Sequence, residues 1–340
     1  SSPISGNRLK MKKILICGIG NALVDSEYKV SEEEITELNL TKGCMELNDK
    51  ENHIKLSSRL KKTHGTVKMM PGGSVANSLY TLSQFGADVS FIGRVSDDTT
   101  GDAFINSLEN TGVRVNIKQV DNGITGECLV LITPDHERTM YTHLGVSSQL
   151  NLEDINQDVI KDSEYLLVEG YLVTSKETMN VASYSLDIAT KHRVKKIITL
   201  SDPNVVNFFR DNVLELLNKS FDIIFCNKQE ALNISLSNNL DDAIDFLKKY
   251  AHEIIITCGE DGAYVIIGKE KSYELADSVK PVDLTGAGDM FLAAYIFAKV
   301  NNKSVIDSIK FANTCSANII QTYGAKLDKQ DYEKLLKKLQ

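Results

Sequence analysis

The sequence lacks the residue spacings that mark several large classes of protein. It contains six cysteines but no C-x-x-C pair, and six histidines that show no zinc-ligand spacing. The cysteines are Cys17, Cys44, Cys128, Cys226, Cys258 and Cys315. All but Cys44 and Cys315 lie in or beside apolar, strand-like runs, where a free cysteine acts as a small hydrophobe. This usage predicts a reducing, cytoplasmic compartment rather than a disulfide-bonded scaffold.

Positive charge and long apolar runs are also scarce. Lysine and arginine together number 38 against 46 acidic residues, which gives a net charge of -8. The chain therefore has no basic excess with which to bind a nucleic-acid backbone. No apolar run reaches the ~18 residues that suggest a membrane span. We expect neither nucleic acid nor membrane as a partner, and a monomer or a homodimer as the assembly.

The composition that remains is that of an ordinary globular protein. Of 340 residues, 42% are hydrophobic and 25% are charged, which is enough for one large α/β domain with a sizeable core. Residues 1–10 have the character of an expression-vector remnant ahead of Met11, so the fold is predicted for 11–340. The chain shows no internal repeat and no low-complexity linker.

From about residue 152 the sequence alternates between strand-like and helix-like segments. The predicted strands cover 165–168, 196–200, 222–226, 253–257 and 263–267, and helices are predicted near 175–191, 211–218, 228–235 and 240–251. Three helices are predicted to close the chain, near 287–300, 303–322 and 328–338. This order predicts a doubly wound αβα sandwich with a mainly parallel sheet, whose ligand crevice lies at the carboxyl ends of the strands.

One region departs from the alternation. Residues 127–132 and 137–143 are strand-like and flank a turn at 133–136, which predicts a β-hairpin. The second strand alternates polar and apolar residues, as in a sheet that is open to solvent on one face. We therefore predict a small β-sheet lid beside the main sheet, formed from parts of 22–70 and 119–147.

The stretch from Asp283 to Phe291 contains the strongest chemical signal. Its Gly286-Ala-Gly288 run precedes an apolar helical pattern, and free amides at a helix N-terminus form an anion site. Asp289 lies inside that site. A carboxylate there could act as a base that takes a proton from an attacking hydroxyl, or it could cap the helix.

Two further stretches supply polar residues after glycine turns. Gly72 and Gly73 open a second helix whose first turn carries Asn77, so the chain has two loops of this kind and we predict two small-molecule subsites. The first strand, 13–20, is followed by Asn21 and Asp25, which are suited either to sugar hydroxyls or to a solvated turn.

The usual nucleotide-binding motifs are missing. Gly18-x-Gly20 lacks the third glycine and the following helix of a dinucleotide fingerprint, so a Rossmann dehydrogenase is not expected. The stretch from Gly262 to Lys269 has the wrong spacing for a Walker loop. Any ATP chemistry must therefore use another phosphate-binding loop, and the 286–288 amides are the candidate. Glu230 could hold a hydrated Mg²⁺ or could be a first-turn helix acid.

The two glycine stretches resemble the two signatures of the ribokinase/PfkB family of carbohydrate and nucleoside kinases. The first signature is matched from Gly72 to Gly101, and the second from Asp283 to Phe291. Asn227-x-x-Glu230 resembles the magnesium-linked motif of the family. The similarity covers nearly everything from Lys13 to about Gly324. It implies a ribokinase-like fold with a β lid, and transfer of the γ-phosphate of ATP to a hydroxymethyl group.

The resemblance also implies a role for individual residues. Asp289 is then the base, and Gly286, Ala287 and Gly288 provide the anion hole. Asn227 and Glu230 organise Mg²⁺. Thr257, Gly259, Gly262, Asn227 and Asn313 belong to the ATP side. Asp283 and Thr285 match positions that bind a monovalent cation such as K⁺ in some members, although Leu284 stands where threonine is common.

The acceptor follows from the branch of the family that the chain resembles. The segments 18–25, 71–74 and 135–140 look most like the adenosine-kinase-like branch. That likeness implies that Asp25 and Asn21 bind ribose hydroxyls and that Gly72, Gly73 and Asn77 line the sugar site. Arg138 would contact the transferring phosphate, unless it is only a surface charge of the lid.

We therefore predict an ATP-dependent phosphotransferase acting on the 5′-hydroxyl of adenosine, in purine salvage. The alternative within the same class is a kinase of ribose, fructose or a keto-sugar acid. The alternative from another class is a nucleotide-binding regulator without turnover, which the intact Asp289, glycine run and Glu230 argue against.

Overall fold

The computed structural model of the protein describes residues 12–43 and 45–340. Cys44 and the expected vector remnant at residues 1–10 lie outside the described residues. The strands are β1 Ile14–Ile19, β2 Leu23–Lys29, β3 Met45–Leu47, β4 Met69–Gly72, β5 Val89–Ile92, β6 Arg114–Asn116, β7 Thr125–Ile132, β8 Arg138–Gly145, β9 Ser163–Glu169, β10 Lys195–Thr199, β11 Phe221–Asn227, β12 Ala251–Thr257, β13 Ala263–Ile267 and β14 Glu270–Glu274. The helices are α1 Glu32–Glu37, α2 Lys50–His64, α3 Ser74–Gln84, α4 Thr99–Glu109, α5 Gln157–Lys161, α6 Lys176–Lys191, α7 Pro203–Phe208, α8 Arg210–Leu217, α9 Lys228–Ser235, α10 Leu240–Leu247, α11 Ala287–Val300, α12 Val305–Ile319 and α13 Lys329–Leu339.

Nine strands form a large sheet in the order β14-β13-β12-β11-β10-β9-β1-β5-β6. All its neighbours pair in parallel except β12 with β13 and β13 with β14, which form an antiparallel edge. The strands from β9 to β12 are rich in isoleucine, valine and leucine because both faces of this sheet are covered. The predicted mainly parallel, doubly wound sheet is confirmed.

Helices cover the two faces of the large sheet. Successive β1 residues alternate between the two layers, with Ile16 on one side and Cys17 on the other. One layer contains apolar residues of α3, α4, α11, α12 and α13, and the other contains those of α6, α8, α9 and α10. The carboxyl ends of the parallel strands therefore share one edge, where the loops that follow them can meet.

Five strands form a separate small sheet in the order β3-β8-β7-β2-β4. β7 and β8 pair antiparallel, so the hairpin predicted from the alternating pattern is present. One face of the small sheet packs Tyr28, Leu129 and Leu131 against residues of α1 and α2. The opposite face carries Cys128, Val130 and Ile132, with Met140 packed against them. We call this second face the inner face, because it also carries Asp25 and Arg138.

Some boundaries differ from the predicted ones. The helix predicted at 240–251 ends at Leu247, and Ala251 already belongs to β12. The helix α7 was not predicted, although Asp202 caps it and Pro203 occupies its first position, which is a recognised helix start. The edge strand β14 was also missed, because only β13 pairs with it and its sequence is mostly polar. Within the described residues, no helix combines the length and apolar character that a bilayer crossing requires.

Candidate active site

The stretch 283–289, which we call the 283–289 loop, leads into the buried helix α11 and includes its first three residues. Gly286 adopts a φ of 77°, and a Cβ at that position would lie 2.7 Å from the Cβ of Ala325, so both the backbone and the packing require glycine. The Ala287 amide donates to the Leu284 carbonyl at 3.3 Å. No acceptor in the described part of the chain bonds the Gly288 and Asp289 amides. Of the predicted 286–288 amides, only that of Ala287 has an acceptor among the described residues, and the Asp289 amide adds a free donor to the set.

Asp289 lies on the first turn of α11, but it does not cap the helix. The N-cap residue is Gly286, and no side chain caps this helix. The Asp289 carboxylate instead accepts a hydrogen bond from Asn77 Nδ2 at 3.0 Å, and its carbonyl accepts one from Ser78 at 2.9 Å. Burial raises the pKa of Asp289 to about 6, against the hydrogen bond from Asn77 and the charge of Lys326, which lower it. The carboxylate is thus placed to exchange a proton near neutral pH.

A cavity of about 560 Å³ opens on the other side of the same loop. We call it the nucleotide cavity, because its volume lies within the range of small-molecule sites. Four of the residues predicted for the ATP side line it, together with part of the glycine run: Thr257, Gly259, Gly262, Asn313, Ala287 and Gly288. The Asn313 amide nitrogen bonds the carbonyls of Glu274 and Leu275, so this residue also fixes the cavity wall.

Asn227 and Glu230 form a reciprocal capping box at the start of α9. Asn227 Oδ1 accepts from the Glu230 amide at 2.8 Å, and Glu230 Oε1 accepts from the Asn227 amide at 2.9 Å. Asn227 pairs in register with Thr257 of the cavity wall. Burial, together with the charges of Asp202 and Asp289, raises the pKa of Glu230 to about 7.

Glu230 has no basic partner among the described residues, and a cation nearby would relieve its buried charge. No cluster of three or more histidine, cysteine, aspartate or glutamate side chains in the described chain could chelate a metal directly. Glu230 therefore fits a hydrated Mg²⁺ that keeps most of its waters, and the capping role and the metal role are compatible.

The predicted acceptor residues meet around the β4–α3 turn. Both carboxylate oxygens of Asp25 lie against Gly72, where a Cβ would approach them within 2.8 Å. Gly73, with φ 92°, lies against the Asn21 carbonyl. Asn77 follows on α3 and reaches Asp289. Burial raises the pKa of Asp25 to about 6, while Lys326 and Arg138 lower it.

Two residues at this place were missed in the sequence. Lys326 donates to Asn77 Oδ1 at 3.0 Å and to the Pro71 carbonyl, and burial lowers its pKa to about 8. Glu169 ends β9, accepts from the Val75 amide at 3.2 Å, and has a pKa raised by burial to about 8. Neither residue belongs to a motif. Only the strand-end position of Glu169 could have marked it as a candidate.

Arg138 connects the small sheet to the 283–289 loop. Its guanidinium bonds Asp283 and Glu27, each at 2.9 Å. Asp283 also accepts from the amides of Thr285 and Gly324 and from the Thr285 hydroxyl. The Asp283 side chain, expected at a monovalent-cation site, is therefore already surrounded by donors from the chain itself.

Comparison with known proteins identifies the family and the fold. Residues 42–331 match the profile of the pfkB family carbohydrate kinases. Over 269 residues the chain is 24% identical to 5-dehydro-2-deoxygluconokinase of Clostridium tetani, covering 74% of this chain and 79% of that protein. Over 336 residues it is 24% identical to adenosine kinase 2 of Arabidopsis thaliana, covering 91% and 94%. The crystal structure of adenosine kinase from Sinorhizobium meliloti superposes with a TM-score of 0.84 at 29% identity, covering 95% of this chain and 99% of that one.

The chain belongs to the pfkB family of carbohydrate kinases, and its fold is the ribokinase-like α/β fold. It is accordingly a kinase with a hydroxyl acceptor, as the resemblance of the two glycine signatures implied. The comparisons leave two classes of acceptor, sugars and nucleosides.

Proposed function

We propose that this pfkB-family kinase transfers the γ-phosphate of ATP to the 5′-hydroxyl of adenosine, as a cytoplasmic enzyme of purine salvage. The observation that carries the proposal is the position of Asp289. It is hydrogen-bonded to Asn77 on the acceptor side, and its helix begins at the free amides that border the nucleotide cavity. A hydroxyl held beside Asp25 and Asn77 would meet a terminal phosphate at this one carboxylate.

Asp289 acts as the general base in this proposal. With its pKa raised by burial to about 6, it is mostly ionised at neutral pH and still basic enough to accept the proton of the attacking hydroxyl. The Gly288 and Asp289 amides and the N-terminal end of α11 stabilise charge on the phosphate.

The metal belongs beside Glu230 and Asn227, which fit a hydrated Mg²⁺. When bound, Mg²⁺ neutralises charge on the phosphates of ATP. Glu230 keeps its second carboxylate oxygen for metal-bound water, because Oε1 is held by the Asn227 amide.

Asp25 and the inner face of the small sheet favour a nucleoside. A carboxylate accepts hydrogen bonds from two neighbouring hydroxyls, which a ribose presents as its 2′ and 3′ groups. Asp25 pairs in register with Cys128, so their side chains lie on one face, where Val130, Ile132 and Met140 continue an apolar surface. Met140 is the partly exposed member of this set, so a nucleobase packed on it would remove apolar area from water, which a free sugar would do less well.

A kinase of a keto-sugar acid is the second candidate, and Lys326 is the observation that favours it. Its ammonium lies close enough to Asp25 and Asp289 for both charges to raise its pKa against the effect of burial. A cation at that place could also bind the carboxylate of a sugar acid.

A substrate panel tests the choice. ADP release is measured with adenosine, other nucleosides, ribose, fructose and the keto-sugar acid 5-dehydro-2-deoxygluconate, with water alone as the control. We expect kcat/KM for adenosine to exceed that for every sugar. A sugar or sugar acid that outperforms all nucleosides overturns the adenosine assignment. No turnover with any acceptor, with ATP still bound, favours a regulator.

K⁺ dependence is tested in the same assay by replacing K⁺ with tetramethylammonium. Because Arg138, Thr285 and Gly324 already surround the Asp283 carboxylate, we propose that only backbone carbonyls of the loop remain for such a cation. A weak, less than tenfold response to K⁺ is expected for a site with so few ligands.

A further inference from the structure

Lys326 lies in the segment that connects α12 to α13, far in sequence from both glycine stretches. The residues just before Lys326 hold this segment against the 283–289 loop. The Gly324 amide donates to Asp283 at 2.8 Å, and Ala325 packs against Gly286. The position of Lys326 is therefore determined by the same loop that carries Asp289.

Lys326 is partly buried, and its ammonium is held by oxygens rather than by a carboxylate. It donates to the side-chain oxygen Oδ1 of Asn77 at 3.0 Å and to the Pro71 backbone carbonyl, and it lies 5.2 Å from the centre of the Tyr80 ring. It forms no ion pair within the described residues. A lysine that is held by two oxygens next to the proposed base, and not by an ion pair, is placed to act on the groups around it.

The contact with Asn77 decides how that amide is oriented. A side-chain amide has an acceptor on one side and a donor on the other, and the two can exchange by rotation. Because Lys326 can only donate, it fixes Oδ1 on its own side. Nδ2 is then directed at Asp289 Oδ2, 3.0 Å away. Without the ammonium, the amide could rotate and present an oxygen to the carboxylate.

We propose that Lys326 is a positioning residue for Asp289, acting through Asn77. It holds the Asn77 donor on Oδ2 of the carboxylate and so fixes the orientation of the carboxylate, to which the Ser74 side chain also bonds. It also places a positive charge near the Asp289 carboxylate without forming an ion pair with that carboxylate. This inference rests on the proposed function, in which Asp289 is the base, but it holds for a nucleoside and for a sugar acceptor alike.

The ionisable groups around Asp289 set the expected pH behaviour. They are Lys326 on the acceptor side, Glu169 at the end of β9 and Glu230 on α9, with Asp25 beyond Lys326. Only Lys326 is cationic. Once Lys326 is removed, the ionisable groups that remain around Asp289 are all acidic. The pKa of Asp289 must therefore rise, and its protonated, inactive form must persist to higher pH.

The test compares Lys326→Met with Lys329→Met, an exposed lysine at the start of α13 that loses the same charge. With the best acceptor, Lys326→Met should lower kcat on the order of 10- to 100-fold and change KM only a few fold. The acid limb of kcat/KM should move to higher pH, and Lys329→Met should match the wild type. At a pH above the acid limb of every variant, Asn77→Ala/Lys326→Met should be no slower than Asn77→Ala, because the orienting effect of Lys326 requires the Asn77 amide.

Three results would overturn the inference. One is an unchanged acid limb in Lys326→Met. Another is a large rise in KM with kcat unchanged, which would make Lys326 an acceptor-binding residue. The third is additive losses in the double variant. If the wild type turns over no acceptor, the proposed function fails while the inference is still tested by ¹³C-carboxyl NMR. There the Asp289 signal, assigned with Asp289→Asn, must titrate at higher pH in Lys326→Met.

Discussion

The two sides of the 283–289 loop differ in how far they are prepared for a ligand. On one side the nucleotide cavity of about 560 Å³ is already open, and glycines and apolar residues supply much of its lining. On the other side Asp25, Asn77, Asp289 and Lys326 are packed together, and several of their polar groups bond each other. If the proposed sites are correct, the nucleotide has a cavity that is already open, whereas an acceptor must compete with contacts that the chain makes to itself.

This difference indicates where selectivity lies. An open cavity lined largely by glycines and apolar residues selects a ligand by its shape, and it should tolerate small substitutions in its lining. The cluster of two acids, an amide and an ammonium should bind well only an acceptor that replaces each internal hydrogen bond with a stronger one. An acceptor that leaves one of these polar groups unpaired binds poorly, because unpaired buried polar groups are costly. Substitutions on the acceptor side should therefore have larger effects than those on the nucleotide side, in the order given next.

The largest effect is expected for Asp289→Asn. The amide keeps the size and polarity of the side chain but cannot take the proton, so kcat should fall about 10²- to 10⁴-fold. Acceptor affinity should stay within a few fold. Asp307→Asn is a matched control, because Asp307 occupies the corresponding first-turn position of α12. A variant at 289 that keeps the wild-type kcat would remove this residue from the mechanism.

The next effect is expected for Asp25→Ala, with adenosine as the acceptor. It should leave the ribose diol unpaired in a closed site, at about 1–3 kcal/mol for each unsatisfied group. Wild-type protein should bind 5′-deoxyadenosine but not 2′,3′-dideoxyadenosine, and the variant should no longer distinguish them. Calorimetric titrations of both analogues measure this. Equal discrimination by the variant would show that Asp25 does not contact the diol.

On the nucleotide side we expect a smaller change from Glu230→Gln. Glutamine retains the oxygen that accepts from the Asn227 amide, so the capping box should survive. The Mg²⁺ concentration for half-maximal activity should rise. Glu177→Gln, which alters an exposed first-turn acid of α6, serves as the control. An identical Mg²⁺ titration for all three proteins would leave Glu230 with the capping role alone.

The smallest effect concerns the small sheet itself. Arg138 is its ionic link to the 283–289 loop, so closure over an acceptor should slow amide hydrogen exchange in 125–145. An ATP analogue alone should slow amide exchange in 125–145 less, because the residues that line the nucleotide cavity lie outside the small sheet. Exchange in β10 and β11 serves as the internal reference. Equal exchange in 125–145 with and without acceptor would contradict the role of a closing lid.

Sequence reasoning succeeded where the signal is local. The glycine turn before α11, the Asn227 and Glu230 spacing and the β7–β8 hairpin each lie within a few residues, and the structure shows each local feature. Lys326 could not be found in this way. Its importance comes from a contact with Asn77 across the fold, and a lone lysine after Gly324-Ala325 has no pattern of its own.

Glu230 shows a different limit. Its spacing from Asn227 is typical of both a helix cap and a metal-linked motif, and the structure contains the cap without removing the second role. The missed Glu169 lies at the end of β9, where the fold predicts ligand contacts, but its sequence neighbours gave no reason to select it. Residue type and spacing thus identify a loop more readily than the partners of a single side chain.

The cluster on the acceptor side, which consists of Asp25, Asn77, Asp289 and Lys326, also determines when a newly made chain can become active. Asp25 is synthesised roughly 300 residues before Lys326, an interval of about 15–60 s at ~5–20 residues per second. β2, β7 and β8 are complete by Gly145, so the central strands of the small sheet can pair while the ribosome is still translating. Asp289 and Lys326 arrive near the end of this interval. A nascent chain stalled before residue 283 can therefore fold locally, but it carries neither the proposed base nor the lysine proposed to orient it.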